Sequence, residues 1–376
     1  MNRAKILITG DTHLGGGRVK DLAIQGEKYE LFGPFLKVIE GADLSVTNLE
    51  SPAIDKGSPQ LKTGPNLKTP VRTLKVLADS GFNLLTLANN HIMDYGAEGL
   101  NSTIQESQKL GLNTVGAGMS SQEAEKPYIK DIHGLAIGVL NIAENEFGAT
   151  CNSNPGFYGM NPVKNYYSIE DLSKETDFLI LIVHGGHENY PLPSPAMKER
   201  YRFFIDAGAD LVVGHHPHCF SGFEFYRGAQ IHYSLGNFLF DGAKNDYDLW
   251  SRGYMLQLDL GKDGNKITPI PYIQNGNKAG LRKLTKIEMQ NFNEEFGKLS
   301  KIISHDKKLG ESFDKFCMTK YNLYSSYIES HSIKSLHFLQ NRNLFPSFIN
   351  ERKKRLLLNL TRCESHRDVL MNILKS

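Results

Sequence analysis

Three histidines crowd the end of one apolar run. Residues 211–218 read LVVGHHPH, so Gly214 closes a Val-rich run and His215, His216 and His218 follow at once. Neutral imidazole nitrogens are borderline donors that suit Zn, Fe, Mn or Ni. A polar turn that merely contains histidines is the plain alternative, and the other strand ends weigh against it.

Four more apolar runs end in the same way. Residues 5–9 (KILIT) are closed by Gly10 and followed by Asp11, Thr12 and His13. A carboxylate and an imidazole two positions apart can reach one ion from extended backbone, and Gly15, Gly16 and Gly17 allow close approach of backbone or ligand. Residues 43–47 (DLSVT) lead to Asn48 and Glu50. Residues 83–87 (NLLTL) lead to Asn90, His91 and Asp94, and residues 177–183 (DFLILIV) lead to His184, His187 and Glu188. In open α/β sheets, ligands bind outside the carboxyl ends of the strands. Residues so far apart in sequence should therefore converge. Structural zinc sites usually recruit cysteine, and these ends offer none apart from Cys219. Two carboxylates, an amide and several imidazoles suit a pair of divalent ions that share a bridging carboxylate. Such a pair can activate hydroxide and clamp an in-line displacement at phosphorus.

The elements that must position these residues alternate. Helical spacing covers residues 29–40 (broken or kinked at Gly33-Pro34), 71–80, 96–110 and 195–207. Further strands are expected at 113–115 and 132–142. Residues 51–65 read as an exposed loop, and 144–165 as a long irregular excursion. After His218 the pattern changes to short alternating runs at 222–226, 230–234, 254–259 and 266–272, which predict antiparallel strands. From Leu281 onward glycine thins out and helical spacing dominates. The fold class is therefore α/β: a layered sheet sandwich flanked by helices, over residues 1–280, with a C-terminal helical extension over 281–376.

Bulk properties narrow the function classes. A chain of 376 residues with 40% hydrophobic and 22% charged residues is an ordinary globular protein. A net charge of +2 argues against a nucleic acid partner. Cys151, Cys219, Cys317 and Cys363 form no CxxC pair, which predicts free thiols in a reducing compartment. No signal peptide and no run of membrane-spanning length is evident, so the expected location is the cytoplasm.

Asp-x-His, Asn-His and Gly-His-x-His at successive strand ends resemble the calcineurin-like metallophosphoesterase superfamily. The longer strings NLE (48–50), ANNHIMDYG (88–96), FIDAGADLVVGHHPH (204–218) and YSLGNFLFD (233–241) resemble its capsule-synthesis CapA branch, associated with poly-γ-glutamate and polysaccharide capsules. The match covers roughly residues 5–275. The resemblance implies a metallophosphoesterase-like sandwich and two divalent ions (Mn, Fe or Zn). Asp11, His13 and His218 would hold one ion, and Asn90, His184 and His216 the other, with Glu50 as bridge. His91 would protonate the leaving oxygen as a general acid. Asp94 would orient His91, or else cap the helix that follows. Arg18 would grip a substrate oxyanion as a bidentate fork, or else lie free on the surface. His187 and Glu188 would flank the substrate. Where the family often has His-Trp-Gly-x-Glu-Tyr, this chain has His184-Gly185-Gly186-His187-Glu188-Asn189, so a bulky wall is missing. By strand alternation His215 points away and is structural.

The implied function is dinuclear-metal hydrolysis of an anionic substrate, small or polymer-linked, with a phosphoester of capsule metabolism in first place. A metal-bound assembly factor that turns nothing over, and a metal-dependent amide hydrolase, are the alternatives. The basic cluster Arg352-Lys353-Lys354-Arg355 beside Leu356-Leu357-Leu358 suggests an amphipathic helix that packs on the main domain or on a second copy. Docking to an anionic membrane or to a capsule-assembly partner is the other reading.

Overall fold

The computed structural model describes residues 3–150, 154–246, 248–328 and 350–375. Its first strand, Ala4–His13, organises an eight-stranded sheet. On one side Leu44–Leu49, Leu84–Thr86 and Asn113–Val115 follow in parallel. On the other side Arg252–Gly261 pairs antiparallel, and Gly264–Gln274 pairs antiparallel with that. The short strand Asn237–Phe240 runs parallel to the end of Ala4–His13, just past a bulge after Asp11. Gly10 permits this approach, because a Cβ there would lie 1.9 Å from the Gly236 carbonyl oxygen.

A second, six-stranded sheet has Leu135–Ala143, Phe178–His184 and Leu211–His215 in parallel at its centre. Ala229–His232 runs parallel beside them, with Phe223–Tyr226 antiparallel at the edge. The sheets stack face to face. Ile6, Ile8, Val46 and Leu84 of the first meet Val139, Ile180, Ile182 and Val212 of the second in one buried cluster. Leu7, by the period of two, points the opposite way, toward Leu31, Phe32 and Leu77 on covering helices. Both faces of these strands are buried, which is why they read as unbroken apolar runs.

The outer helices start where side chains can cap them. Ser194 accepts from the Met197 amide ahead of Pro195–Asp206, and Asn161 accepts from the Lys164 amide ahead of Pro162–Ser173. Thr285 and Glu288 close a capping box on Lys286–Ile303, whose Phe292 and Leu299 join the inter-sheet core. The extension continues through Asp306–Ile328, Glu351–Arg362 and Glu364–Lys375. Phe313, Cys317, Leu360, Val369 and Ile373 form its own small core. Arg352 and Lys354 face water while Leu360 is buried, so this helix packs its apolar stripe inward.

The α/β sandwich, the antiparallel strands after His218 and the helical extension agree with expectation. Two local readings change. Residues 132–142 are not one strand: Tyr128–Ile132 turns back on Leu135–Ala143 through His133 and Gly134, both at positive φ. Residues 144–165 are not wholly irregular, since they hold the strand Gly156–Phe157 and the start of the Pro162–Ser173 helix. Gly33-Pro34 breaks the helical run as expected, into two short helices joined by a 3₁₀ turn. Cys219, Cys317 and Cys363 are free and buried; Cys151 lies outside the described residues. Among the described residues no helix is long and apolar enough to cross a membrane.

His232 shows what this core demands of a polar ring. It is fully buried between Tyr254 Oη at 3.1 Å and Gln230 Oε1 at 2.9 Å, and burial pushes its pKa down to about 3 from an ordinary 6.5. Above pH 6.5 the ring is neutral in both folded and unfolded chains. Below it only the unfolded chain takes the proton, so stability falls by roughly 1.4 kcal/mol per pH unit until about pH 3. In His232→Phe, urea unfolding followed between pH 6 and 4 should show an acid slope shallower by about one proton. An unchanged slope would mean that His232 is protonated in the folded chain.

Candidate metal centre

Parallel pairing delivers the polar strand ends to one rim. Asp11 lies opposite Asn48, and His184 lies opposite His215. Two trios of donor atoms result, each within 4.8 Å: Glu50 with His184 and His216, and Asp11 with Glu50 and His218. Glu50 belongs to both. Its Oε1 lies 3.5 Å from His184 Nε2 and 3.7 Å from His218 Nε2. Asn90 joins the first trio, with Oδ1 3.1 Å from His184 Nε2, which in turn is 3.2 Å from His216 Nδ1. Asp11, Glu50 and Asn90 come from the first sheet; His184, His216 and His218 come from the second.

The electrostatics test whether divalent cations fit. Glu50 is completely buried, and neither carboxylate oxygen has a hydrogen-bond partner. Burial pushes its pKa up to about 8. Burial and then the neighbouring Glu50 push Asp11 up to about 7. Burial holds His216 near 4 and His184 well below its ordinary value, so both imidazoles are neutral donors. An orphaned buried carboxylate beside neutral imidazole nitrogens is an environment that a cation completes.

The supporting shell fixes each donor. Asn48 Nδ2 donates to Asp11 Oδ1 at 2.7 Å, and the His216 amide donates to Asp11 Oδ2 at 3.0 Å. His218 Nδ1 sits 2.9 Å from Asn237 Oδ1, which leaves Nε2 to face Glu50. His216 and His218 hold φ of 97° and 56°, a region that side-chain-bearing residues rarely adopt. His215 turns away, with Nε2 3.0 Å from the Thr9 carbonyl, and bridges the sheets. His13 is at the rim but in neither trio. Its Nδ1 is 3.0 Å from Ser51 Oγ, and Gly15 folds over the ring so closely that a Cβ would lie 2.7 Å from Cε1.

Beside the trios stands a second constellation. His91 Nδ1 donates to Asp94 Oδ2 at 2.7 Å, and Lys62 Nζ pairs with Asp94 Oδ1. Asp94 does not cap the next helix, which has no side-chain cap. Lys62 came from a stretch read as exposed, yet its side chain is 5% exposed. A cavity of about 270 Å³ opens here, lined by Lys62, His91, His218, Phe147, Phe240 and Trp250. Trp250, the chain's single tryptophan, stacks on His218 at 4.6 Å. It supplies a wall that was expected to be missing, from a different element.

Arg18 is not a free anion fork. Its Nη2 pairs with Asp241 Oδ1 at 2.8 Å and also donates to the Asn275 carbonyl, while Nη1 donates to the Gly276 carbonyl, so its charge is spent on pinning a loop. His187 is in neither donor trio, although it lines one cavity with Asn90, His184 and His216; its ring sits among Tyr190, Phe313 and Phe316, with Nε2 donating to the Ser365 carbonyl at 3.0 Å. Glu188 is exposed and lines the first cavity and a second one of about 240 Å³. That second cavity also exposes Glu144, Glu146 and His366, none foreseen in the sequence. Burial pushes Glu144 up to about 7. Burial is the largest single influence on Glu146 and works to raise it, but the hydrogen bond from His366 and the neighbouring His216 and His366 charges together outweigh it and hold this carboxyl well below the usual range.

Residues 5–242 match the family described as bacterial capsule synthesis protein PGA_cap. The PGA biosynthesis protein CapA of Bacillus subtilis (strain 168) is 33% identical over 293 residues, covering 72% of this chain and 75% of that protein. The capsule biosynthesis protein CapA of Bacillus anthracis is 34% identical over 250 residues, covering 63% of this chain and 58% of that protein. Among solved structures, 5'-nucleotidase from Candida albicans SC5314 superposes with a TM-score of 0.42 at 12% identity, over 84% of this chain and 57% of that one.

Because Glu50 serves both trios, Glu50→Ala should lose both equivalents of Mn²⁺, whereas Lys62→Met, outside the donor set, should keep them. Elemental analysis after dialysis reads the difference. Full retention in Glu50→Ala would remove the bridging role.

Proposed function

This chain belongs to the bacterial capsule synthesis protein PGA_cap family, and we propose that it acts there as a dinuclear-metal hydrolase on a phosphoester of capsule or cell-surface polymer metabolism. The observation that carries this reading is the one orphaned carboxylate, Glu50, common to two donor trios. Asp11, Glu50 and His218 would hold one divalent ion; Glu50, Asn90, His184 and His216 would hold the other. Mn, Fe or Zn at these positions would lower the pKa of water and neutralise charge developing at phosphorus.

The chain's own groups do the rest. Asp94 accepts from His91 Nδ1, which fixes the ring and leaves Nε2 to carry the proton for a leaving oxygen. Lys62 pairs with the other oxygen of Asp94 and so holds that carboxylate in place. Phe147, Phe240 and Trp250 add apolar wall to the cavity that Asn90 and His91 also line. His91→Ala should lower kcat on phosphoesters by roughly 10²–10⁴-fold with metal content unchanged. A panel of phosphomonoesters and phosphodiesters, run on protein carrying its metals, checks this. Metal-loaded wild-type protein that is inert across the panel would overturn the reading.

A second reading rests on Glu144, Glu146 and Glu188 around the neighbouring cavity. These carboxyls repel a doubly charged phosphate and suit an amide, whose carbonyl an activated hydroxide can also attack. γ-Glutamyl amides in the same panel separate the two. Inertness on esters and amides alike, with both metals bound, would favour the non-catalytic assembly factor, a role that fits relatives named for biosynthesis.

A further inference from the structure

We propose that the substrate carries a substituent on each side of its phosphorus, so that the protein cuts phosphodiesters in preference to monoesters. The group that leaves sits in the cavity beside Trp250, and the group that stays on phosphorus sits in the cavity walled by the C-terminal extension. The proposal rests on the dinuclear reading above and names its substrate class.

Two cavities flank the donor trios. The one of about 270 Å³ holds His218 of one trio, together with His91, Lys62 and Trp250. The one of about 240 Å³ holds His184 and His216 of the other trio, together with Phe316, Lys320 and His366. Asn90, Glu146 and Glu188 line both, so the cavities meet at the donors. Neither reaches the roughly 300 Å³ at which pockets for drug-sized ligands begin, and the two joined exceed it. A monoester, with its single substituent, would leave one of them without a ligand.

The place where they meet is fixed from both sides. Trp250 Nε1 donates to Asn189 Oδ1 at 2.7 Å, and the His187 ring donates to the Ser365 carbonyl at 3.0 Å. Glu188 stands in the chain between these two anchors. Glu146 accepts from His366 Nε2 at 3.2 Å, and Tyr324 Oη lies 2.7 Å from His366 Nδ1. Phe316, Lys320 and Tyr324 recur every four residues on Asp306–Ile328, which sets them on one face of that helix, toward the cavity. The extension is thereby a wall of the site.

Charge points the same way. A phosphomonoester carries about two negative charges and a diester about one, so a diester meets less repulsion from Glu146 and Glu188. His91 lines the Trp250 cavity and not the other, which puts the leaving group on its side. Water adds its oxygen to phosphorus, and the bond from phosphorus to the oxygen of the group beside Trp250 breaks. That oxygen takes the proton of His91 Nε2. One proton of the water restores His91, and the other stays on the new phosphoryl oxygen until it ionises. The products are an alcohol and a monoester whose remaining group lies against the extension.

The test uses aryl esters that share one leaving group. Metal-loaded wild-type protein should turn over bis(p-nitrophenyl) phosphate with a kcat/KM about tenfold or more above that for p-nitrophenyl phosphate, a modest share of the like-charge repulsion expected at a partly buried site. Glu188→Gln should narrow that ratio by favouring the monoester. Lys320→Trp, which fills the cavity on the extension side, should cut turnover of bis(p-nitrophenyl) phosphate by about tenfold relative to methyl p-nitrophenyl phosphate, the scale of overpacking a formed site. Calorimetry supplies a readout without turnover. His91→Ala protein should bind diphenyl phosphate about tenfold more tightly than methyl phenyl phosphate, as burial of a second ring predicts, and Lys320→Trp in that background should erase the difference. A preference for the monoester, equal binding of the two diesters, or an equal loss on both nitrophenyl diesters in Lys320→Trp would each overturn the proposal while leaving a phosphoester hydrolase standing. Metal-loaded wild-type protein inert on all three nitrophenyl esters would instead overturn the reading beneath it.

Discussion

Two carboxylates buried within reach of each other dominate the energetics of this molecule. Asp11 and Glu50 have no solvent exposure, and Glu50 has no hydrogen-bond donor for either oxygen. Holding such groups ionised in a protein interior costs several kcal/mol each unless positive charge is supplied. No lysine or arginine of the described residues supplies it to Glu50 at contact distance. Among the described residues, the groups that converge on it are the imidazoles of His184, His216 and His218 and the carboxylate of Asp11. The surrounding architecture serves this arrangement. Parallel strands bring the side chains to one edge, Asn48 and Asn237 orient them, and His215 turns its back to tie one sheet to the other.

Much of this was readable from residues alone, for a physical reason. A buried strand is an uninterrupted apolar run, and its end is where polarity becomes affordable again. Polar residues just past such runs, as at Asp11, Glu50, Asn90 and His184, are therefore marked by contrast with what precedes them. The order of strands and helices followed from the same contrast. The residues that escaped notice lack such a marker. Lys62 sits in a stretch rich in Ser, Pro and Gly, and what surrounds it, Asp94, His91, the Asn90 carbonyl and Phe147, comes from elsewhere in the chain. Glu146 follows a strand but lies in a run whose Asn and Gly content signals an ordinary loop. Trp250 reaches His218 from more than thirty positions later in the chain. Asn237 lay in plain view within YSLGNFLFD, yet its role as the anchor of His218 is a tertiary fact.

The extension was read as helices that pack on the main domain or on a second copy, and the structure brings Phe316, Tyr324 and His366 of it to the cavity that Asn90, His184 and His216 line. Its helices do have a small apolar core of their own. But Lys198 reaches from the sandwich to Asp306 and to the Ile303 carbonyl, and the Glu364–Lys375 helix meets the turn after Leu135–Ala143 through a row of polar bonds. Arg18 moved in the opposite direction. Placed near the glycine-rich loop, it looked available for an anion, and its neighbours instead spend its charge on Asp241 and backbone carbonyls. In both cases sequence position was a poor guide because long side chains choose partners in three dimensions.

Neither sheet carries a full set of donors. The first brings oxygens, from Asp11, Glu50 and Asn90, and the second brings nitrogens, from His184, His216 and His218. An ion seated between them is a rivet through both plates of the sandwich. Half a fold lacks half the donors: a nascent or damaged chain whose sheets have not closed has no complete set to offer a cation, and metal binding would certify that assembly is complete.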